Sequence, residues 1–108
     1  MFHVTILGSG SNGNCALVET SKTKLLIDGG LSAKQTADRL RMCGVNPLEV
    51  DGILLTHEHG DHAGGLKVWC KNFSTPIYCN RLTAEAIRCS EPDTVKRDWR
   101  LFVTGSAL

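Results

Sequence analysis

Six consecutive residues, His57-Glu58-His59-Gly60-Asp61-His62, hold three of the chain's four histidines with an aspartate among them. They directly follow Gly52-Ile53-Leu54-Leu55-Thr56, a short apolar run that reads as a buried strand. Clustered neutral imidazoles bring no evident packing gain, and a carboxylate among them favours their charged forms, which burial penalises. A divalent cation resolves the conflict, because imidazole and carboxylate are its natural ligands. The alternative is a solvated loop of satisfied surface histidines. Under the metal reading, the fold must deliver four ligands from the end of one strand. His57 and His59 are two apart and face the same way on an extended segment. Asp61 and His62 are adjacent, at the bend into the next helix, and point differently. One loop can thus feed two metal positions, and two ions about 3.5–4 Å apart can share and deprotonate a water. An H-E-x-x-H zinc site is excluded, since the residue four after His57 is Asp61. Glu58, between ligands, is expected to face solvent.

The rest of the chain reads as an α/β scaffold for that loop. Phe2, Val4 and Ile6 alternate with His3, Thr5 and Leu7, the period of a strand. A glycine-rich break over 8–14 leads to a second β-prone run, 15–20, and a third, 24–27, ends at Asp28-Gly29-Gly30. The opening is therefore a β-meander. Ser32-Ala33-Lys34-Gln35 has the form of a capping box, and Ala33, Ala37, Leu40 and Cys43 follow at helical spacing. Gly44 and Pro47 bar continuation, so the spacing predicts a helix over about 33–43. Further elements are expected as a helix over 63–71 weakened at its start by Gly64-Gly65, a strand over 76–79, a helix over 81–89 and a strand over 99–104. In the helix over 81–89, Ala84, Ile87 and Leu82 are expected to face inward.

Gly8, Gly10 and Gly13 match G-x-G-x-x-G after a strand, the pattern of a dinucleotide site. That site needs a following helix to hold the pyrophosphate. Only 14–20 separate the last glycine from the next turn, too short for a crossover. The segment reads instead as a turn that brings backbone close to a neighbouring element, or whose amides and hydroxyls line one wall of a site.

Twelve Lys and Arg against eleven Asp and Glu leave a formal charge of +1. The two halves are equally balanced, so the footprint of a dedicated nucleic-acid binder is absent. No apolar run approaches the ~20 residues of a membrane helix. The N-terminus has no signal-peptide pattern, so a cytoplasmic location is expected. There the five cysteines, none in a C-x-x-C pair, would be free thiols packed as small hydrophobes. Asn72-Phe73-Ser74 is a glycosylation sequon without meaning in that compartment.

The cluster His57-x-His59-x-Asp61-His62 resembles the signature of the metallo-β-lactamase superfamily. The stretches 7–15, 26–30 and 55–66 look like its YycJ/WalJ-type branch, bacterial, cytoplasmic and assigned to phosphodiester or nuclease-like hydrolysis. The resemblance implies that His57 and His59 bind a first divalent ion and that Asp61 and His62 bind a second, zinc or manganese. Asp61 would also orient the attacking water. Asp28 matches the family's first motif and would anchor the ligands from behind, where a plain turn former is the alternative. The family's further ligands, a His, a bridging Asp and a final His, have no counterpart, since no histidine follows His62. The expectation is an N-terminal half of the family's four-layer αββα sandwich, residues 1–108 forming an incomplete domain. Its end at Leu108, just after a β-prone run, suggests a cut. Such a half would self-associate or pair with its missing complement. Three functions follow: a phosphodiesterase acting on DNA or RNA, a thioester or lactone hydrolase, or a non-catalytic metal-binding relic.

Overall fold

Alternation at the N-terminus builds the first three strands, β1 (His3–Gly8), β2 (Cys15–Glu19) and β3 (Lys24–Ile27), into an antiparallel meander. The computed structural model describes residues 2–57, 63–90 and 98–102, with the side chains of 88–90 left aside. After β3 the pattern changes to strand–helix crossovers. The helices α1 (Ala33–Met42), α2 (Leu66–Asn72) and α3 (Arg81–Ser90) alternate with β4 (Gly52–Leu54), β5 (Ile77–Asn80) and β6 (Trp99–Phe102). Strands β3 to β6 run parallel, and the described residues form one sheet in the order β1-β2-β3-β4-β5-β6.

The helices start and stop where local chemistry dictates. Ser32 caps α1, its hydroxyl accepting from the Gln35 amide at 3.1 Å. Gly44 takes a left-handed backbone (φ +78°) just past the helix end. A 3₁₀ turn, Pro47–Glu49, has its own capping box between Asn46 and Glu49. Helix α2 begins only after Gly64-Gly65, and α3 spans the expected segment.

The two sheet faces differ. Leu17, Leu26, Ile53, Ile77 and Cys79 point to one side and pack with Ala37, Leu40, Leu66, Trp69, Ala84 and Ile87 of the helices in one core. Leu82 was expected in that core but is 78% exposed. It sits two residues from Ala84, about 200° around the helix, so the two cannot share a face. On the other side, the row Ile6–Ala16–Ile27–Leu54–Tyr78 crosses five strands, beside Val4–Val18–Leu25. Val4 is 53% and Ile6 64% exposed, and the rest of this face is half-buried. The mixed α/β sheet with helices on one face matches half of the expected sandwich. The strand expected over 99–104 is seen as β6, and 103–108 lie outside the described residues.

Candidate metal centre

Strand β1 is antiparallel to β2, and β2 to β3, so β1 and β3 run the same way, as does β4. The segments that follow β1, β3 and β4 therefore emerge on one edge of the sheet, where α/β proteins place their sites. They are the glycine-rich turn 8–14, Asp28–Leu31, and the segment that begins at Thr56-His57.

Asp28 is the pivot. Its amide continues the parallel ladder to Leu54 O at 2.8 Å, and the backbone then turns left-handed at φ +66°, a conformation Asp tolerates better than most residues. The side chain is 5% exposed. Its carboxylate accepts from the Thr56 amide at 2.8 Å and from the Thr56 hydroxyl at 2.8 and 3.0 Å. The Thr56 oxygen also lies 3.1 Å from His57 Nδ1. The hydroxyl proton is committed to the carboxylate, so the oxygen accepts from Nδ1–H. That network favours a proton on Nδ1 and holds the His57 ring through Thr56, as carboxylates hold metal-binding histidines. Asp28 is thus a buried anchor and not merely a turn former. Thr56 is the connecting atom set that sequence spacing did not mark, although it immediately precedes the cluster.

His57 is exposed at the sheet edge. Glu58, His59, Asp61 and His62 lie outside the described residues, and the described ones include no group of three metal-ligating side chains. The fit to a divalent ion rests on the donor set: imidazoles with a carboxylate, one imidazole already held through its Nδ1 by Thr56.

Two glycines of the first segment, Gly8 and Gly13, allow a close approach to the second. A Cβ on Gly13 would stand 2.9 Å from the carbonyl atoms of Gly30, and one on Gly8 would stand 2.9 Å from Leu31 Cδ2. The Gly30 amide also donates to Asn14 O at 3.1 Å. The turn 8–14 is closed by Asn14, whose side chain exchanges hydrogen bonds with the Gly10 amide and carbonyl. No helix follows, since β2 begins at Cys15, and the dinucleotide pattern is a packing feature of the sheet edge. Behind it, the ladder slips between Ile6 and Gly8, and the Leu7 carbonyl accepts from the guanidinium of Arg39 on α1.

Cys15 lies below this edge, buried. Burial and the nearby Asp28 charge push its thiol up to about 12, partly opposed by Arg39. It stays protonated at neutral pH and packs as a hydrophobe, in line with the inert role expected of the cysteines. Cys79 is buried as expected, whereas Cys43, at the end of α1, is exposed and departs from the packed role expected of the cysteines, and Cys89 lies outside the described side chains.

Residues 8–100 match the profile of the Metallo-beta-lactamase superfamily. The chain is 44% identical over 85 residues to exodeoxyribonuclease YycJ of Bacillus anthracis, an alignment covering 79% of the chain and 32% of that protein. It is 42% identical over 90 residues to exodeoxyribonuclease WalJ of Streptococcus pneumoniae, covering 83% of the chain and 34% of that protein. A solved B3 metallo-beta-lactamase with an active-site glutamic acid superposes with a TM-score of 0.80 at 25% identity, over 97% of the chain and 44% of that structure. The chain spans about a third of the length of the two exodeoxyribonucleases.

Proposed function

The chain belongs to the metallo-beta-lactamase superfamily, on its YycJ/WalJ-type branch, and from that premise we propose that it carries the first half of the active site of a metal-dependent phosphodiesterase that cleaves DNA or RNA. The observation that supports this best is the Asp28–Thr56–His57 network, which holds one imidazole ring at the sheet edge where the motif begins. The similarity to two proteins named exodeoxyribonucleases favours a phosphodiester over a thioester or lactone.

In this reading His57 and His59 hold one divalent ion, and Asp61 and His62 hold a second. Such ions, zinc or manganese, supply water activation and charge neutralisation at the scissile phosphorus. The chain's own residues do the positioning. Asp28 fixes Thr56, Thr56 fixes the His57 ring, and Asp61 would orient the attacking water by accepting a hydrogen bond from it. The near-neutral charge of the chain leaves little electrostatic steering for nucleic acid.

No histidine follows His62, so the chain offers four of the seven ligands that the family uses. The 108 residues are a partial domain, inactive alone and active, in the cytoplasm, once joined to a C-terminal complement that supplies the others. The test is hydrolysis of linear DNA, a chromogenic phosphodiester and a thioester with added Mn²⁺ or Zn²⁺, by the complemented protein and by the chain alone. Turnover of DNA and phosphodiester by the complemented protein, lost in His57→Ala, is the expected result. Turnover of the thioester alone moves the function to that class. Absence of any turnover leaves the metal-binding relic.

A further inference from the structure

The net charge of the chain is small, but its charge is unevenly placed. Helices α1, α2 and α3 each follow a strand of the parallel set, so all three begin on the sheet edge that carries His57. A helix start favours acidic residues, because the helix dipole is positive there. None of the three helices has an acid in its first turn. They carry Lys34, Lys67 and Arg81 instead. Lys34 and Lys67 are both exposed, each directly after a buried first residue, Ala33 or Leu66. Among the described residues neither lysine stands in an ion pair, whereas Arg81 is engaged by Glu85 at 2.9 Å. The exposed carboxylates of Glu49, Asp51 and Asp98 precede β4 and β6, on the opposite edge.

The fold also brings the two lysines together. The Gly65 amide donates to Gly29 O at 2.7 Å, and a Cβ on Gly65 would stand 1.8 Å from Leu31 O. The backbone leading into α1 at Leu31 therefore touches the backbone leading into α2 at Gly65. From there α1 and α2 pack side by side, and packed helices lie about 8–10 Å apart. That separation matches about three steps of a nucleic-acid strand, at about 3.4 Å rise each. Two neighbouring cations, each opposed by its own helix dipole, repel and have no partner among the described residues to offset them. A polyanion offsets both at once. We propose that Lys34 and Lys67 form a docking pair for the phosphate backbone of a nucleic-acid strand, beside the edge where His57 lies. The pair rests on the reading of the site as a phosphodiesterase and extends it from the metal ligands to the substrate's backbone. Contacts to phosphate position a strand without reading its sequence.

The test is fluorescence anisotropy of a labelled single-stranded oligonucleotide titrated with the whole 108-residue chain. Several salt concentrations are used, with a chelator present so that neither a metal ion nor cleavage contributes. Lys34→Gln with Lys67→Gln should weaken binding about 25-fold at 0.1 M salt and lower the slope of log affinity against log salt by about 1.4. The loss should be the same for oligonucleotides of different sequence, DNA or RNA. Lys22→Gln with Lys71→Gln removes the same charge from the β2–β3 turn and from the last turn of α2, and should change affinity by less than about twofold. Lys34→Glu with Lys67→Glu should abolish binding while melting no lower than wild type, which separates a lost contact from a lost fold. Wild-type affinity in the Lys34 and Lys67 glutamine variant overturns the proposal. So does an equal loss in the Lys22 and Lys71 variant, or absence of binding by the wild type. The hydrolysis assay answers separately for the reading beneath it. Thioester turnover alone removes the phosphodiesterase, whereas DNA turnover with wild-type binding in the Lys34 and Lys67 variant removes only the lysine contact.

Discussion

At the scale of single residues, the network behind His57 makes a separable claim about its hydroxyl. Thr56→Val keeps the shape of the side chain but removes the donor to Asp28 and the acceptor for His57 Nδ1–H. The buried carboxylate then loses a partner, which costs about 1–3 kcal/mol of stability, and metal affinity falls about tenfold as the ring loses its orientation. Thr56→Ser should retain both within a factor of about three. Calorimetric titration with Zn²⁺ and thermal melts check this, and equal affinity in Thr56→Val would remove the tautomer argument. Cys15 yields a pH effect with a defined sign. Its thiol ionises near its ordinary value of 9.0 in the unfolded chain but only near about 12 when folded. Above pH 9 the unfolded state releases a proton that the native state keeps, so the contribution is fully present below pH 9 and is lost as pH rises toward 12. The slope reaches about 1.4 kcal/mol per pH unit. Denaturant melts from pH 8 to 10.5 should show wild type losing more stability than Cys15→Ala, which lacks the titrating group. Parallel curves would contradict the buried thiol.

At the scale of elements, the first helix was the most legible part of the chain. Its cap, its spacing and its stop are all local, and the observed α1 keeps each of them. Ser32→Ala should remove the bond to the Gln35 amide and cost about 1 kcal/mol, a fall of about 4–8 °C in melting temperature for a domain near this size. No change in the melt would mean the cap is replaced by solvent. The start of α2 was legible only as a weakness. Gly64-Gly65 reads as poor helix chemistry, whereas Gly65 answers to a backbone oxygen contributed by Leu31, 34 positions earlier. Asp28 could be either a turn former or an anchor for the same reason, since its partner Thr56 is 28 positions away. Periodicity reports which face a residue occupies within its own element, and even that failed for Leu82, whose apolarity suggested burial that its angle from Ala84 forbids. Of the cluster itself only His57 is among the described residues, exposed at the sheet edge and in contact with Thr56. Its neighbours His59, Asp61 and His62 rest on sequence chemistry and the family.

At the scale of the whole molecule, the open sheet face governs behaviour in solution. An apolar surface that crosses five strands, with Val4 and Ile6 more than half exposed, attracts a second apolar surface. The chain alone is expected to associate, and Ile6→Lys with Val18→Lys should shift it toward monomer at little cost in stability. Leu17→Ala, on the opposite and fully buried face, should instead cost about 2–5 kcal/mol without altering association. Sedimentation at several concentrations, with melts alongside, separates the two faces. A monomeric wild type with a sharp melt would show that this face tolerates water.

The order of the strands in the sheet is also their order in the chain. Each strand after the first finds its partner already made by the residues immediately before it, so no strand has to wait for an edge encoded later. A ribosome releasing this sequence therefore extrudes a sheet that can widen one strand at a time, in the direction of synthesis. Asp28 is translated before Thr56, and Gly29 before Gly65, so both acceptors precede their donors in the chain. The parallel half of the sheet, β3 to β6, can thus be laid down in the order in which its strands are translated.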